Sequence, residues 1–588
     1  MRLCARTLSI LAALCVPLLA HAGTVLYVSD PVRPGETVMV IGDGFQDVKS
    51  VRLVRLSDGD PGKPGAAIPT TPGAIEVRNL QPRPQSLKFV IPASQLAGVF
   101  RAEVTDPTGK CAFLVNVAQP VWLQGDTGVT ATPGGSIRAF GRCLAISKHV
   151  PSFYLRGPRG ERHIAATEAT EWDARAKLPA DLPEGDYTVW LHNGCGGPAG
   201  WSAPLTIAVQ REKPWPKTVY NVRDLGADGT GSIDSTEAVK EALARCAKAG
   251  GGVVYFPRGR YMVTATLEIP RSTVLRGEAR ELVNVFWPDS DKPLVRLLSA
   301  TNSIGVEDLT FYASNYQHFL VTEQGKPDSG DVHVRRIRFR GDPYRGHPTP
   351  EQVNERFTKS LALSTGGGDS LCLGGRNVEV TDSDIYGAGR CLYLSGGRGA
   401  NIARNTLYNG RWGWYCISGS DGVVFEDNRI IGADLMSTGG GLNCLDGSKV
   451  SQNVFYARNK LSKMYGWDRE AMTSDAGGGT YYGALASADA NSVTLAEDPK
   501  SGDKGWIGAA LFILDGKGRG QYRIIRAFAG RRVEVDKPWQ VTPDTTSRVT
   551  VTMLQRNYMF IGNSFSDAGI AIQMYGMSIG NIAAKAGA

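Results

Sequence analysis

Three six-residue stretches decide the fold: Ile402-Ala403-Arg404-Asn405-Thr406-Leu407, Phe425-Glu426-Asp427-Asn428-Arg429-Ile430 and Tyr456-Ala457-Arg458-Asn459-Lys460-Leu461. Each begins and ends on an apolar residue. The same spacing recurs in four further units, which start at Val306, Val334, Val380 and Phe560. Successive starts differ by 28, 46, 22, 23, 31 and 104 residues. A period of roughly 23 residues predicts a solenoid. We interpret the spacing of 46 residues as two turns and the spacing of 104 residues as one turn plus an insertion.

Asparagine occupies the fourth position of four units, as Asn405, Asn428, Asn459 and Asn563. Amides at one position of a stacked coil can hydrogen-bond from turn to turn. We therefore expect these asparagines to be structural. Two cysteines, Cys416 and Cys444, also share a phase, and we expect them to stack as small apolar side chains.

The segment before the repeats has its own pattern. Asn221-Val222-Arg223-Asp224-Leu225-Gly226-Ala227 is followed by Asp234-Ser235-Thr236-Glu237, a capping box that opens an amphipathic helix with Val239, Leu243 and Cys246 on one side. Glycines at 250–252 end the helix. Strand residues 253–256, the turn Pro257-Arg258-Gly259 and further strands at 261–269 and 274–277 follow.

This order of motifs resembles the N-terminal segment of the pectate-lyase-like right-handed β-helix superfamily, in its secreted polysaccharide-degrading branch. The resemblance implies a right-handed parallel β-helix over residues 219–588. It also implies that the helix covers the apolar end of the coil and that the ligand is a polysaccharide. The repeats predict the same coil independently.

Residues before 219 predict two related β modules. Arg33-Pro34-Gly35-Glu36-Thr37 and the residues to 45 recur at 132–144, an offset of 99. Pro-Gly turns feeding short alternating strands predict β-sandwiches, here at 23–118 and 119–210, and both resemble immunoglobulin-like modules. A proline-rich linker at 211–218 joins them to the coil, and 481–552 is predicted to be an inserted β subdomain. The fold class is therefore all-β, with one capping helix.

The N-terminal residues and the composition indicate where the protein acts and which partners and sites to expect. Residues 1–22 carry Arg2 and Arg6, an apolar run and Ala20-His21-Ala22, which predicts a cleaved signal peptide and a secreted or periplasmic protein. The formal charge of +8 is scattered, so no nucleic-acid partner is expected. We also expect no membrane span and a monomer. With no C-x-x-C motif there is no predicted zinc or redox site, and Cys143 with Cys195 is a plausible disulfide.

One run of residues stands out chemically, from Trp467 to Asp475. If the run is extended, Asp468 and Glu470 project to one side with Cβ atoms about 7 Å apart. Two carboxylates at that reach can act as acid and base, or as acid and nucleophile, in glycosidic cleavage. Asp446, one turn earlier, and Asp475 are further catalytic candidates. Alternatively, Arg469 neutralises these acids in a surface ion-pair cluster.

Aromatic residues around this run could form a floor on which sugars stack, together with Arg469. They are Trp412, Trp414, Tyr415 and Trp467. The sequence thus predicts a glycoside hydrolase that uses paired carboxylates and no cofactor. The alternative prediction is a lyase acting on a uronate polymer. For such a lyase the resemblance implies Ca²⁺ and an arginine base. A non-catalytic glycan-binding or adhesin-like protein is the third prediction.

Overall fold

The computed structural model describes residues 23–48, 50–67, 72–107, 109–289, 294–314, 316–326, 329–342, 351, 370–387, 391–409, 417–432, 442–447, 451–463, 470–476, 481–499, 506–553, 555–567, 570–574, 578–579 and 582–584. The predicted signal segment, 1–22, lies outside them. Among the described residues strands dominate and one α-helix is present, as the all-β prediction requires. No helix in these ranges is long and apolar enough to cross a membrane.

The N-terminal part of the chain forms two pairs of sheets, which are antiparallel except for the parallel pairing of Leu205–Val209 with Thr130–Ala131. The first seven strands are β1 (Thr24–Val28), β2 (Thr37–Asp43), β3 (Ser50–Arg55), β4 (Ile75–Arg78), β5 (Ser86–Val90), β6 (Phe100–Asp106) and β7 (Gly109–Val115). They pair as β1-β2-β5 and β4-β3-β6-β7. In β2 the period of two buries Val38 and Val40 in one core with Val51 and Phe100 of the other sheet, so the two sheets form a β-sandwich.

The second pair of sheets repeats this design. Its strands are β8 (Gln119–Gly125), β9 (Thr130–Ala131), β10 (Ser136–Arg142), β11 (Ser152–Gly157), β12 (Gly160–Ala165), β13 (Glu168–Ala169), β14 (Asp173–Lys177), β15 (Gly185–His192) and β16 (Leu205–Val209), with a 3-10 turn at Gly197–Ala199. They pair as β13-β14-β10-β8 and β12-β11-β15-β16-β9. The duplicated motif builds β2 and β10, each preceded by a turn glycine, Gly35 at φ 90° and Gly134 at φ 79°.

The coil starts at β17. Its strands before the insertion are β17 (Val219–Asn221), β18 (Thr230–Asp234), β19 (Gly252–Phe256), β20 (Gly259–Met262), β21 (Leu267–Ile269), β22 (Thr273–Gly277), β23 (Val283–Trp287), β24 (Leu294–Ala300), β25 (Ile304–Glu307), β26 (Thr310–Ser314), β27 (Tyr316–Val321), β28 (Gly330–Arg335), β29 (Arg338–Asp342), β30 (Leu371–Thr381), β31 (Asp384–Tyr386), β32 (Leu392–Ala403), β33 (Thr406–Asn409), β34 (Ile417–Ser418), β35 (Asp421–Glu426), β36 (Arg429–Gly432), β37 (Leu442–Gly447), β38 (Gln452–Ala457), β39 (Lys460–Ser462) and β40 (Glu470–Ala476). A 3-10 turn, Val222–Leu225, follows β17.

The insertion and the turns that follow it contain the remaining described strands. They contain β41 (Tyr481–Ala488), β42 (Ser492–Leu495), β43 (Ala510–Asp515), β44 (Tyr522–Ala529), β45 (Arg532–Val535), β46 (Arg548–Thr552), β47 (Gln555–Ile561), β48 (Ser564–Phe565), β49 (Ile570–Met574), β50 (Ser578–Ile579) and β51 (Ile582–Ala584). Strands β41 to β46 close on themselves as a barrel in the order β41-β42-β45-β44-β43-β46. Trp506 and Leu511 lie in its filled interior.

Three parallel sheets wind the coil. Sheet 1 runs β17-β19-β22-β25-β28-β30-β32-β35-β38-β47-β50, with β21, β24, β27, β34 and β51 paired beside this path. Sheet 2 runs β18-β20-β23-β26-β29-β31-β33-β36-β39-β48, and sheet 3 is β37-β40-β49. Successive turns stack in parallel, and one continuous apolar core fills the space between the sheets. The fold from residue 219 is thus a right-handed parallel β-helix, as predicted.

The helix α1 (Thr236–Ala249) covers the end of the coil. Val239, Leu243 and Cys246 are buried in the coil core, as the amphipathic pattern predicts. The predicted capping box is wrong in detail, because Ser235 is the N-cap and its side chain makes no cap bond. Instead, the carboxylate of Asp234, one residue earlier, accepts the Thr236 N–H at 2.9 Å.

Asparagine amides join successive turns at the corner between sheets 1 and 2. Asn428 Oδ1 accepts the N–H of Asn405 at 2.9 Å and its Nδ2–H at 3.0 Å. Asn459 and Asn563 accept in the same way from Asn428 and Asn459, respectively. All four asparagines are buried. The predicted structural role of these residues is confirmed.

Two sequence-based expectations are wrong. Val334 pairs directly with Val380, so the 46-residue spacing is a single turn with a long connection, because a loop can lengthen a turn without altering its strands. Cys143 and Cys195 are free buried thiols, not a disulfide. The predicted stacking of Cys416 and Cys444 concerns side chains outside the described residues.

The second sandwich packs against the outer side of sheet 1. Trp122 and Phe140 form an apolar cluster with Phe455 and Met559 of the coil. Beside this cluster, Arg138 donates to both oxygens of Glu426 at 2.8 and 2.9 Å. The two side chains are each 11% exposed. The coil and the sandwich therefore share a buried ion pair.

A second contact ties the first sandwich to the barrel. Gln85 Nε2–H donates to the Gly516 carbonyl at 2.6 Å. The side chain of Ile41 also lies next to Gly520. The barrel is therefore held from outside the coil as well as by its two chain connections.

Replacement of Asn428 tests the ladder. In Asn428→Ala the buried N–H of Asn405 and the carbonyl of Ile402 lose their side-chain partner. We expect a loss of about 2–3 kcal/mol in the free energy of unfolding, measured by denaturant titration. The control Asn284→Ala removes a half-buried amide from the outer side of β23 and should cost less than about 0.5 kcal/mol. Equal losses in the two variants would show that the ladder carries no special stabilisation.

The ion pair between sandwich and coil predicts a pH dependence. Burial alone raises the pKa of Glu426, but the hydrogen bonds and charge of Arg138, aided by Arg458, outweigh it, so the pKa lies below its ordinary value. A depressed carboxyl pKa stabilises the fold above the unfolded value of about 4.3, and this stabilisation disappears as the pH falls through the folded pKa. Arg138→Met should therefore destabilise the protein by about 3 kcal/mol at neutral pH.

The difference between Arg138→Met and the parent should shrink as the pH is lowered below about 4. Thermal and denaturant unfolding across the acidic range measures it. Arg162→Met, which changes an exposed arginine of the same sandwich, is the control and should be neutral at every pH. A destabilisation by Arg138→Met that does not vary with pH would refute the electrostatic explanation.

Candidate active site

The acidic run predicted from sequence falls on β40, the middle strand of sheet 3. The strand starts at Glu470 and contains Asp475. Ala471 and Met472 are buried in the coil core, so this strand is part of the wall. Strand β37, the first strand of sheet 3, lies against β34 of the turn before it. Sheet 3 therefore continues the column of strands formed by β24, β27, β30, β32 and β34.

The register of sheet 3 alternates apolar and polar rows. Leu442, Met472 and Ile572 form an apolar row, and Asn443, Thr473 and Gln573 form the polar row that follows. Strand β37 then carries one extra residue between Asn443 and Leu445. Such a bulge shifts the remaining residues of a strand relative to its neighbour. A second polar row results from this shift.

Asp446 and Asp475 occupy that second polar row as direct register partners on consecutive turns. Neighbouring strands lie about 4.8 Å apart, so the two positions are adjacent across the wall. Asp475 also follows Thr473 by two residues, and a strand repeats every two residues, so the two polar rows share one face. The register therefore brings together two of the four carboxylates predicted from sequence.

Glu470 occupies a different place. It pairs with Ile570 and stands five residues before Asp475 on the same strand. Five residues of strand span about 16 Å, and an odd separation assigns the two positions to opposite faces. Asp468, Arg469, Trp467, Trp412, Trp414 and Tyr415 lie outside the described residues. The proposed pair of Asp468 and Glu470 is therefore still a prediction.

Sequence reasoning gave little weight to the strands that precede sheet 3 in the same column. Val321, Cys372 and Tyr393 are register partners on β27, β30 and β32. The Cys372 thiol lies 3.5 Å from Nδ1 of His318. No spacing in the sequence links His318 to Cys372, because a long loop separates them. Only the register of the coil brings these two side chains together.

A second titratable cluster lies on sheet 1 and is closed. Arg335 Nε–H donates to Glu379 at 2.9 Å, and His333 lies 3.4 Å from the same carboxylate. Burial raises the pKa of Glu379, but these two partners outweigh it and hold the pKa well below its ordinary value. The indole of Trp215 packs edge-on against His333, with ring centroids 5.4 Å apart. This cluster ties the segment before the coil to sheet 1.

Among the side chains that the structure describes, no group of three or more His, Cys, Asp or Glu residues is arranged to hold a metal ion. The calcium site that the sequence resemblance implied for a lyase is therefore not assembled from these side chains.

Comparison with known proteins connects this coil to polysaccharide-acting enzymes. Residues 219–285 match the family model described as rhamnogalacturonase A/epimerase, pectate lyase-like. Alginate lyase 7 of Azotobacter vinelandii is 26% identical over 230 residues, which are 35% of this chain and 24% of that protein. Mannuronan C5-epimerase AlgE5 of the same organism is 49% identical over 257 residues, 37% of this chain and 25% of that protein. The chain thus spans about a quarter of the length of these relatives.

Solved structures give only distant matches. The A-module of the Azotobacter vinelandii epimerase AlgE6 is 14% identical, with 62% of this chain and 99% of that chain covered and a TM-score of 0.29. The Yersinia enterocolitica family 28 exopolygalacturonase is 13% identical, with 80% and 84% covered and a TM-score of 0.31. Residues 219–285 thus resemble the pectate-lyase-like family, and the helix over the end of the stacked parallel sheets gives this part of the chain the fold of a right-handed parallel β-helix.

Proposed function

We propose that the chain is a glycoside hydrolase acting on a uronate-containing polysaccharide, with its active face on sheet 3. One observation carries this proposal: Asp446 and Asp475 are register partners on adjacent turns. Hydrolysis with retention uses two carboxyl groups about 5–5.5 Å apart, and the neighbouring strands that bear the two aspartates lie about 4.8 Å apart. In this scheme one carboxylate attacks the anomeric carbon while the other carboxylic acid protonates the leaving oxygen. Water then releases the sugar, and the second group acts as base.

The polar row beside the pair is suited to hold the sugar. Asn443, Thr473 and Gln573 supply amide and hydroxyl groups at three consecutive register positions. Amides and hydroxyls both donate and accept hydrogen bonds, as sugar hydroxyls require. Asp468 and Glu470 are the alternative catalytic pair, with Arg469, Trp467, Trp412, Trp414 and Tyr415 as the proposed substrate contacts.

The substrate class rests on the relatives. The alginate lyase and the mannuronan epimerase are named for polymers of uronic acids. The family model that matches 219–285 likewise names polysaccharide-acting enzymes. These names support a uronate polymer as the substrate. A secreted or periplasmic location, proposed from residues 1–22, would bring the protein to such a polymer.

The same relatives favour a second candidate reaction, proton removal from C5 of a uronate. There a base takes the C5 proton beside the sugar carboxylate. In elimination the bond from C4 to the leaving oxygen breaks and that oxygen takes a proton, whereas in epimerisation a proton returns to C5 from the opposite side. Asp446 and Asp475 could serve as the two proton-transfer groups in either case.

Product analysis tests the proposal. The protein is incubated with mannuronan, polygalacturonate and a neutral mannan, and each product is examined. Hydrolysis creates new reducing ends without ultraviolet absorbance, elimination creates both, and epimerisation in heavy water creates neither but places deuterium at C5. We expect reducing ends alone, from a uronate polymer. No product from any polymer would refute an enzymatic function and leave glycan binding.

Variants then assign the residues. Asp446→Asn and Asp475→Asn should each lower kcat about 10³-fold with little change in stability. Asp567→Asn is the matched control, because Asp567 is exposed, has φ 54°, and asparagine accepts that conformation. Asp468→Asn and Glu470→Gln test the alternative pair. Full activity in Asp446→Asn and Asp475→Asn would remove both residues from the mechanism.

A further inference from the structure

The two sandwiches, the coil and the barrel contact one another in a closed ring with four joints. The first joint connects the first sandwich to the barrel, through residues 431 positions apart in the chain. Gln85 donates to the Gly516 carbonyl, and Ile41 lies next to Gly520. Both glycines belong to the barrel turn at 516–520, between β43 and β44. The first sandwich therefore holds this turn from outside the barrel.

Charged groups also meet across the first joint. Asp43 is the last residue of β2 in the first sandwich. Burial raises the pKa of its carboxyl, the positive charge of Lys517 opposes this rise, and the negative charge of Asp544 adds to it. Both charged partners belong to the barrel. Their influence shows that the barrel lies close to Asp43, in agreement with the contacts of the 516–520 turn.

The second joint connects the two sandwiches around a buried carboxylate. The side chain of Asp30, two residues after β1, is 0% exposed. Its two oxygens accept from Nε2 of Gln119 at 3.1 and 2.9 Å, and Arg142 lies 3.3 Å away. Gln119 and Arg142 both belong to the second sandwich. A buried carboxylate is costly without partners, so this arrangement resists separation of the two modules.

The loop after β3 adds two contacts to the second joint. The Asp58 carboxylate accepts the Gly196 N–H at 3.2 Å. The indole N–H of Trp201 donates to the Pro61 carbonyl at 2.8 Å, and this tryptophan is buried. The first sandwich is thus attached to the second at several points, which restricts its rotation.

The third joint connects the second sandwich to the coil and extends beyond the buried ion pair. Gln124 donates to a coil carbonyl at 3.1 Å, and Asn377 of the coil accepts the Val129 N–H at 3.1 Å. Gly128 and Gly399 approach so closely that a Cβ atom on either residue would collide with the backbone of the other. Glycine is therefore needed on both sides of this contact. The loop of the sandwich fits closely into the coil wall.

The chain itself makes the fourth joint, where the barrel leaves the coil and returns to it. Four residues separate Ala476, the end of β40, from Tyr481, the start of β41. Two residues separate Thr552, the end of β46, from Gln555, the start of β47. Six residues of chain span at most about 20 Å, so the barrel begins within that distance of Asp475. The barrel is thus a neighbour of the acidic row as well as a member of the ring.

We infer that the two sandwiches brace the barrel against the coil and so position the wall that the barrel provides beside sheet 3. Modules joined by a linker alone move relative to each other, whereas in a closed ring movement at one joint requires movement at the others. Gln85 and Arg142 are then positioning residues that act through the barrel. Their effect on the reaction rests on the proposed function, but the brace itself can be measured without substrate.

Hydrogen exchange of the substrate-free protein, followed by mass spectrometry, tests the brace. Arg142→Met opens the joint between the sandwiches, whereas Gln85→Ala removes the contact with the barrel turn directly. In both variants the amides of the 516–520 turn should exchange about tenfold faster, because the loss of a holding contact makes local opening easier. Exchange in β45, which lies in the barrel outside this turn, should stay as in the parent.

The matched control is Arg162→Met, which changes an exposed arginine of the second sandwich and should leave the turn unchanged. Circular dichroism and the unfolding midpoint check that each variant is folded. If Arg142→Met is not folded, Asp58→Ala opens the same joint at its loop contact. No faster exchange at the turn in the folded joint variant, or an equal rise in β45, overturns the brace.

Steady-state kinetics test the positioning role. In Gln85→Ala and Arg142→Met, KM for a long polyuronate should rise about fivefold while kcat changes less than about twofold, because the barrel wall would contribute to binding and sheet 3 to the chemistry. Arg162→Met should match the parent in both constants. An unchanged KM in variants whose turn exchanges faster would overturn the positioning role.

The two proposals fail in different ways. If the parent forms no product from any polymer but the turn responds to Arg142→Met, the proposed enzymatic function is wrong and the brace is right. If the parent forms product and the turn does not respond, the brace is wrong and the enzyme is right.

Discussion

The asparagine ladder at the corner of the coil is the constraint on which the rest of the structure depends. Each amide accepts two N–H groups of the preceding turn and donates to a backbone carbonyl there, so neighbouring turns are fixed in one register. The turns that leave Asn428 and Asn459 contain β37 and β40, the strands that bear Asp446 and Asp475. Since a buried amide without partners is costly, a shift of one turn against the next is strongly disfavoured. The register of the acidic row follows from that of the ladder.

The three sheets of the coil have different surroundings. Sheet 1 meets the second sandwich through a buried ion pair and an aromatic cluster. Sheet 3 carries polar rows next to the barrel insertion in the chain. Sheet 2 presents rings and cations. A coil is well suited to this separation of tasks because its outward residues take no part in the core. Each face can therefore change without disturbing the stack of turns.

The sequence predicted the periodic features well, because periodicity is visible without knowledge of contacts. The apolar units, the asparagine positions and the amphipathic α1 are confirmed. Features that depend on loop length and tertiary contacts were harder to predict from the sequence. The long connection before Val380 made a single turn look like two in the sequence spacing. Cys143 and Cys195 lie in the same module but are free thiols. Spacing alone does not specify either feature.

The candidate site was predictable only in part. An unusual density of acids marked β40, but the partnership of Asp446 with Asp475 depends on one extra residue between Asn443 and Leu445. A bulge of this kind leaves no clear signal in a single sequence. Contacts between successive turns of sheet 2 could not be predicted from the sequence for a related reason. Tyr386 and Tyr408 are 22 residues apart in the chain, and only the register makes them neighbours.

In the proposed function, a uronate polymer reacts on sheet 3. The most direct test is a crystal structure of Asp475→Asn with an oligouronate bound, since this variant should bind substrate without turning it over. We predict a sugar ring across β37 and β40, with the Asp446 carboxyl group within hydrogen-bond distance of the glycosidic oxygen or in contact with the anomeric carbon. An oligosaccharide bound only at another face, with sheet 3 empty, would contradict it.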